Sequence, residues 1–255
     1  MPALVAFFHF DTSQLEKKPE QTLKRGRLLY EGQSKRVFET NRPDQVLIEF
    51  KSEFPQREPG TPRVPAKPRL AAHIAEHVFS YLQSFRIPNH FIARHDDAML
   101  LVKRLEMIPV AIVVRNIAAG SLCQKYGVTE SRELEFPIVE MLYKNRQLDY
   151  PMVNESHVLA FGVSTPEEIR TMVRIAAKTN AVLRSFMERR RMRLVDLWVE
   201  FGRNGHDVLL ADALIPDTMR ILDTETGDVF DGSLFRLGIG NYAESYASLH
   251  KRLTT

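Results

Sequence analysis

Between Val113 and Ser121 the chain reads Val-Val-Arg-Asn-Ile-Ala-Ala-Gly-Ser, and this run constrains the fold more than any other. Its β-branched residues favour a strand, and Gly120 turns that strand sharply at its end. Arg115 offers a planar guanidinium fork that matches phosphate or carboxylate. Gly120 and Ser121 let backbone N–H groups and a hydroxyl close on the same oxygens. The run therefore reads as an anion pocket at the end of a strand, and the rest of the chain must supply a sheet around it.

Upstream, residues 27–38 read as strand, glycine turn and strand, followed by a third strand at 45–50, an opening β-meander. Five prolines and Gly60 between positions 54 and 68 are incompatible with regular structure, so a loop is expected there. Apolar residues at helical spacing (Ile74, Val78, Tyr81, Leu82) predict a helix over 70–85, with strands at 87–92 and 99–102. Residues 103–107 read as a joint to the next strand, 108–114. Ser164-Thr165-Pro166-Glu167-Glu168 is a helix start, with proline near the first position and acids in the first turn, and the helix is expected to reach 187 before a basic cluster at 189–193. Strands at 194–201 and 207–214 form a hairpin around Arg203-Asn-Gly-His206, and a last helix lies near 241–252. The expected division is an N-terminal arm of residues 1–24, a small β-rich nucleotide lobe of 25–104 and a larger substrate lobe of 105–255. A cleft between lobes is the default ligand site.

With 44% hydrophobic residues in 255, the chain can bury a sizeable core. A net charge of +3 is slight and by itself supports neither a nucleic-acid coat nor a membrane-surface protein, so neither partner is expected. Cys123 is the only cysteine, which excludes an internal disulfide or a cysteine metal site and fits a reducing compartment. The apolar stretch at 3–8 lacks a basic flank and is too short to span a bilayer, so it reads as an arm or extra strand, and the cytoplasm is the expected location. Such an arm commonly packs across a subunit interface, which makes a homodimer a natural assembly.

The polar residues group into further constellations. In Val195-Asp-Leu-Trp-Val-Glu200 the alternation puts Asp196 and Glu200 on one strand face, and Asp212 comes from the paired strand. Converging carboxylates suit Mg²⁺, which takes one or two and leaves its other positions to phosphate and water; an ordinary polar strand face gives the same spacing. Glu31-Gly32-Gln33-Ser34-Lys35 is either a nucleotide-covering hairpin or a plain one, since a single glycine is far less specific than a Walker-type loop. Arg220, just beyond Pro216-Asp217, is expected in a turn. Lys144-Asn145 and Asn154-Glu155 flank Pro151 in a loop.

After the Arg115 run come, in order, Tyr150-Pro-Met-Val-Asn-Glu-Ser156, Leu194-Val-Asp-Leu-Trp-Val-Glu-Phe-Gly202 and Ala211-Asp-Ala-Leu-Ile-Pro-Asp-Thr-Met-Arg220. In this order the segments resemble the SAICAR synthetase family across residues 28–253. The resemblance implies an α+β, two-lobed fold: a β-rich ATP lobe similar to a kinase N-lobe and a larger α/β lobe for the ribonucleotide. The implied reaction uses ATP and Mg²⁺ to activate carboxyaminoimidazole ribonucleotide as an acyl phosphate, which the amine of aspartate attacks to give SAICAR, ADP and phosphate. By position, Arg115, Asn116, Ser121, Lys144, Asp196 and Arg220 fall on the ribonucleotide side. Gly32, Lys35, Lys103, Met107, Glu200 and Asp212 fall on the ATP side, Met107 through its backbone at the adenine hinge. Glu200 and Asp212 would hold the metal, and Lys35, Asp196, Glu200 and Asp212 form the implied catalytic set.

This chain departs from the family pattern close to that chemistry. The Gly-Lys-x-Lys hairpin is Gly32-Gln33-Ser34-Lys35, and a substrate loop is replaced by the proline-rich 52–66. A glutamate before the arginine run is Ala111, and the aspartate after Lys144-Asn145 is Arg146. The strand lysine between Asp196 and Glu200 is Trp198, an Asp-Glu pair is Asp212-Ala213, and an asparagine pair is Ala71-Ala72. Three readings follow: an aspartate-using ligase, a divergent paralogue that binds a related imidazole ribonucleotide with another amine donor or with altered or lost ATP and aspartate chemistry, or a catalytically silent binding or assembly protein.

Overall fold

A computed structural model describes residues 22–53, 64–230 and 242–254; the first 21 residues of the N-terminal arm, the proline-rich 54–63 and residues 231–241 lie outside it. Strands β1 (Arg25–Glu31), β2 (Lys35–Thr40), β3 (Gln45–Phe50), β4 (Phe91–Arg94) and β5 (Met99–Lys103) build an antiparallel sheet of order β1-β2-β3-β5-β4, in which the apolar runs of β3 and β5 are buried. Helix α1 (Lys67–Ser84) buries Leu70, Ile74, Val78, Phe79 and Leu82 and contacts β3, β4 and β5. The second antiparallel sheet runs β12-β11-β9-β6-β7-β8, with β10 paired to β9. It consists of β6 (Glu106–Ile117), β7 (Glu133–Tyr143), β8 (Met152–Val153), β9 (Met192–Asn204), β10 (Asp207–Ala211), β11 (Met219–Asp223) and β12 (Val229–Phe230). Short helices α2 (Ser121–Tyr126) and α3 (Glu155–Ala160) lie in its connections. The long α4 (Pro166–Glu188) packs on β6, β9 and β10, and the C-terminal α5 (Tyr242–Thr254) packs on α1. The chain is thus α+β, and a single apolar cluster runs from Val46 and Phe79 in the first half to Leu197 and Leu249 in the second.

Several boundaries differ from the sequence reading. Helix α1 starts at Lys67, inside the expected loop, because Pro68 sits in its first turn, where a fixed φ suits the helix and no N–H is required. The strand expected at 87–92 begins only at Phe91. The residues before it go to the other sheet: His90 N–H donates to the Leu210 carbonyl at 3.0 Å and Leu210 N–H to the Pro88 carbonyl at 3.0 Å. These bonds stitch the first sheet to β10. Arg220 lies in strand β11, paired with Asp196, and not in a turn. β7 carries Pro137 yet remains a strand, since β8 pairs only with Met141 and Leu142 and leaves the Pro137 side as an open edge where no N–H is needed.

Candidate active site

The register of β6 against β9 sets the site. Arg115 lies opposite Asp196, Val113 opposite Trp198 and Ala111 opposite Glu200, and directly opposed residues share a face. The alternate residues, Ile112, Val114, Leu197 and Val199, are buried in the core on the α4 side. The remaining face therefore carries Asp196, Trp198 and Glu200 in a row, each partly exposed.

At one end of the row is a cationic pocket. Arg115, 8% exposed, donates Nε to Glu140 at 2.7 Å and Nη2 to the Ser121 hydroxyl at 2.9 Å, with Nη1 3.5 Å from Asp196. Arg220 approaches the same Asp196 oxygen at 3.7 Å. Gly120 has φ +56°, and a Cβ there would lie 3.2 Å from the Arg220 guanidinium, so glycine lets the turn close against Arg220. Two guanidiniums against two carboxylates, beside a hydroxyl and a glycine turn, form a site whose arginines are held rigid before any anion arrives.

At the other end two carboxylates meet two lysines. Lys35 pairs with Asp212 and Lys144 with Glu200. The Trp198 indole N–H donates to Glu200 at 3.2 Å, and its ring stands edge-to-face with Tyr150 at 5.8 Å between centroids. Asp212 follows β10 with φ +65°, a left-handed conformation that few non-glycine residues adopt. His90 Nε2 is 2.8 Å from the Asp212 carbonyl; a carbonyl only accepts, so the proton is on Nε2. Burial pushes the His90 pKa down to about 4 and keeps the ring neutral. Burial opposes the charge of Lys35, but Asp212 overrides it and raises the lysine's pKa. Burial likewise opposes the Asp212 charge and is outweighed by Lys35, whereas Glu200 is pushed up by burial and by the neighbouring Asp212. Of the two carboxylates, Asp212 is favoured in its charged form, whereas Glu200, though paired with Lys144, is held above the ordinary carboxylate range.

The structure brings Arg115, Ser121, Asp196 and Arg220 together at one end, and Lys35, Lys144, Glu200 and Asp212 at the other. Lys144 thus stands on the carboxylate side, although the resemblance set it with the ribonucleotide group. Gly32 lies in the β1–β2 turn, its N–H donating to the Lys35 carbonyl at 2.9 Å. Lys103 closes β5, its N–H donating to the His90 carbonyl at 2.8 Å. Met107 opposes Gly202, two residues past Glu200. A Cβ on Gly202 would meet Leu105 at 2.7 Å, so this glycine lets the joint between the sheets lie against β9. Asn116 is a correction: alternation turns it to the buried face, where its amide exchanges two 2.8 Å bonds with Asn180 and donates to the Leu194 carbonyl, away from the pocket.

Sequence reasoning missed Glu140, His90 and a buried triad in which Lys67 donates to Asp217 at 2.7 Å and the Tyr246 hydroxyl to the other Asp217 oxygen at 3.3 Å. Lys67 also donates to the Glu53 carbonyl at 2.9 Å and is 1% exposed. A lysine opening a helix against its dipole was the one local sign of it.

The profile of the SAICAR synthetase family matches residues 28–253. The phosphoribosylaminoimidazole-succinocarboxamide synthase of Chloroherpeton thalassium is 38% identical over 234 residues, covering 91% of this chain and 99% of that protein. Its namesake from Persephonella marina is 37% identical over 228 residues, covering 88% and 95%. The crystal structure of the Ehrlichia chaffeensis protein of that name superposes with a TM-score of 0.85 at 31% identity, covering 89% of this chain and 98% of that one. A SAICAR synthetase solved in complex with ADP gives 0.84 at 35% identity, covering 89% and 97%.

Proposed function

Because the chain belongs to the SAICAR synthetase family, we propose that it is an ATP-dependent carbon–nitrogen ligase of purine biosynthesis. It joins aspartate to carboxyaminoimidazole ribonucleotide and releases SAICAR, ADP and phosphate. The observation that carries the assignment to this site is the single strand face of β9, with a two-arginine pocket at Asp196 and a two-lysine, two-carboxylate cluster at Glu200.

Arg115, Ser121 and Arg220 bind the ribonucleotide phosphate, and Asp196 keeps both guanidiniums aimed at it. Lys35 and Lys144 supply positive charge where phosphoryl groups meet the substrate carboxylate, and Gly32, Lys103 and the Met107 backbone border the ATP on the side of the first sheet. His90 fixes the Asp212 backbone, and Trp198 fixes Glu200. The donor set fits Mg²⁺: two carboxylates, Asp212 beside Lys35 and Glu200 beside Lys144, are hard oxygen donors that leave the ion's other positions to phosphate and water. Held by Glu200 and Asp212, the ion would neutralise phosphate charge during transfer. We place the two lobes at 25–104 and 105–255, with the cleft between them as the site. No helix among the described residues is long and apolar enough to cross a membrane. A homodimer acting in the cytoplasm on small molecules, without nucleic acid or membrane, is the biological setting proposed. A monomer at micromolar concentration in sedimentation would overturn the assembly.

The test incubates the purified protein with ATP, Mg²⁺, aspartate and the carboxylated ribonucleotide. One ADP per SAICAR is expected, and Arg115→Ala or Glu200→Ala should lower turnover by roughly 10²-fold or more. Trp198 in place of a lysine, and Lys144 closed on Glu200, favour a second reading in which a paralogue keeps the ribonucleotide but uses another amine or has altered ATP chemistry. Calorimetric binding of the ribonucleotide with no ADP released from ATP when aspartate is the amine would select it.

A further inference from the structure

We propose that Trp198 is a specificity-determining residue whose indole forms an aromatic floor for the heterocycle of the ribonucleotide. This rests on the ribonucleotide reading of the Arg115 pocket. On β9 the side chains of Asp196, Trp198 and Glu200 rise from one face at intervals of two residues, roughly 6.6 Å. A phosphate held where Arg115 and Arg220 converge on Asp196 therefore has Trp198 one step along the strand, within the reach of one ribose unit. The carboxylate cluster lies a further step along, where a group on the far side of the ring would meet it.

Three contacts fix the indole at that middle position. Its N–H donates to Glu200 at 3.2 Å, its backbone N–H donates to the Thr218 carbonyl at 2.8 Å, and Tyr150 stands perpendicular to its ring. Val113 lies opposite it on β6, and Ala111, opposite Glu200, adds only a methyl group. The floor is thus apolar, partly exposed and flanked by charge at both ends, which favours a planar, polarisable ring over a charged group. Where the resembling family carries a lysine, this chain spends the indole N–H on Glu200 and presents a π surface in place of a cation.

Trp198 is the only tryptophan in the chain, so its emission reports on this position alone. The experiment titrates the wild-type protein with carboxyaminoimidazole ribonucleotide and, separately, with ribose 5-phosphate, following tryptophan fluorescence and calorimetric heat in parallel. Saturable quenching by the ribonucleotide at the calorimetric Kd is expected, whereas ribose 5-phosphate should bind weakly with emission unchanged. Trp198→Ala should weaken the ribonucleotide roughly ten-fold or more and leave ribose 5-phosphate unaffected. Trp198→Phe, which keeps a ring but not the N–H, should restore most of that loss. Heat of ribonucleotide binding with unchanged emission overturns the stacking and leaves the ribonucleotide reading standing. No heat with either ligand overturns both.

Discussion

At the scale of single residues, the site combines groups legible from spacing with groups that only folding delivers. Asp196, Trp198 and Glu200 share a face because strand periodicity is local and holds over these five residues, and Arg115 joins them through the register of one strand pair. Lys67 and Asp217 are 150 residues apart, and no local pattern announces their pair. Burial lowers the Lys67 pKa, yet Asp217 and the Glu53 carbonyl hold it in place. Lys67→Met should therefore cost roughly 3–5 kcal/mol in urea unfolding, because a buried carboxylate loses its counter-charge, while adding Asp217→Leu should recover much of that loss. His90 gives a second, pH-dependent outcome. Its folded pKa of about 4 lies below the ordinary 6.5, so the unfolded chain takes up the proton first as pH falls. The stability it confers is complete above pH 6.5 and declines toward pH 4, by at most about 3 kcal/mol. His90→Gln retains an N–H donor and should flatten that limb of the curve; an unchanged slope would show that the acid response originates elsewhere.

Among the elements, α4 was the most legible, since its beginning is written in adjacent residues. The Thr165 hydroxyl accepts the Glu168 N–H, and the Glu168 carboxylate accepts the Thr165 N–H, a reciprocal cap ahead of Pro166. Thr165→Ala should cost about 1 kcal/mol in thermal or urea unfolding. The sequence could not say that Arg203, 35 residues on, also grips Glu168 and ties the helix start to the end of β9. Hydrogen bonding from Arg203, together with the cap, brings the Glu168 pKa down to about 2. A depressed carboxylate stabilises the fold above its unfolded pKa near 4.5, and that contribution disappears as pH falls through about 2. Glu168→Gln should thus destabilise by about 1–3 kcal/mol at neutral pH and by little near pH 2; a penalty equal at both would mean that packing, not charge, is lost. The elements the sequence hid were those that contradict local signals. β7 tolerates a proline because half of it is an edge, α1 begins inside a proline-rich stretch, and Arg220 sits in a strand that starts straight after a turn.

Across the whole molecule, the C-terminal helix closes the structure on α1, and the seam between them carries its own pH response. His73, Glu76, His77 and Ser80 from α1 face His250 and Thr254 from α5 around a groove of about 340 Å³. The His73 and His250 rings are 5.5 Å apart, and neither Nε2 has a hydrogen-bond partner among the described residues. Burial first, and then the surrounding cations, push all three histidines below 6.5: Arg94 and Arg69 act on His73, Arg190 on His77, and His73 with Arg69 on His250. Glu76 and the exposed Asp97 oppose this only in part, Asp97 lying 4.0 Å from His73. Protonation therefore favours the state in which the seam is open, and the helix contact should weaken as pH falls below 6.5. At the seam's other end Tyr246 is bonded to Asp217 and so to Lys67, so that loosening α5 also withdraws a partner from the buried triad beside the site. Amide hydrogen exchange at pH 7.5 and 5.5 separates this from the His90 effect. Residues of α5 and the facing turns of α1 should lose protection at the lower pH before β9 and β10 do. The variant His73→Gln/His250→Gln should retain it. Loss of protection that begins in β10 would make the His90 contact, and not the helix seam, the first part of the molecule to yield to acid.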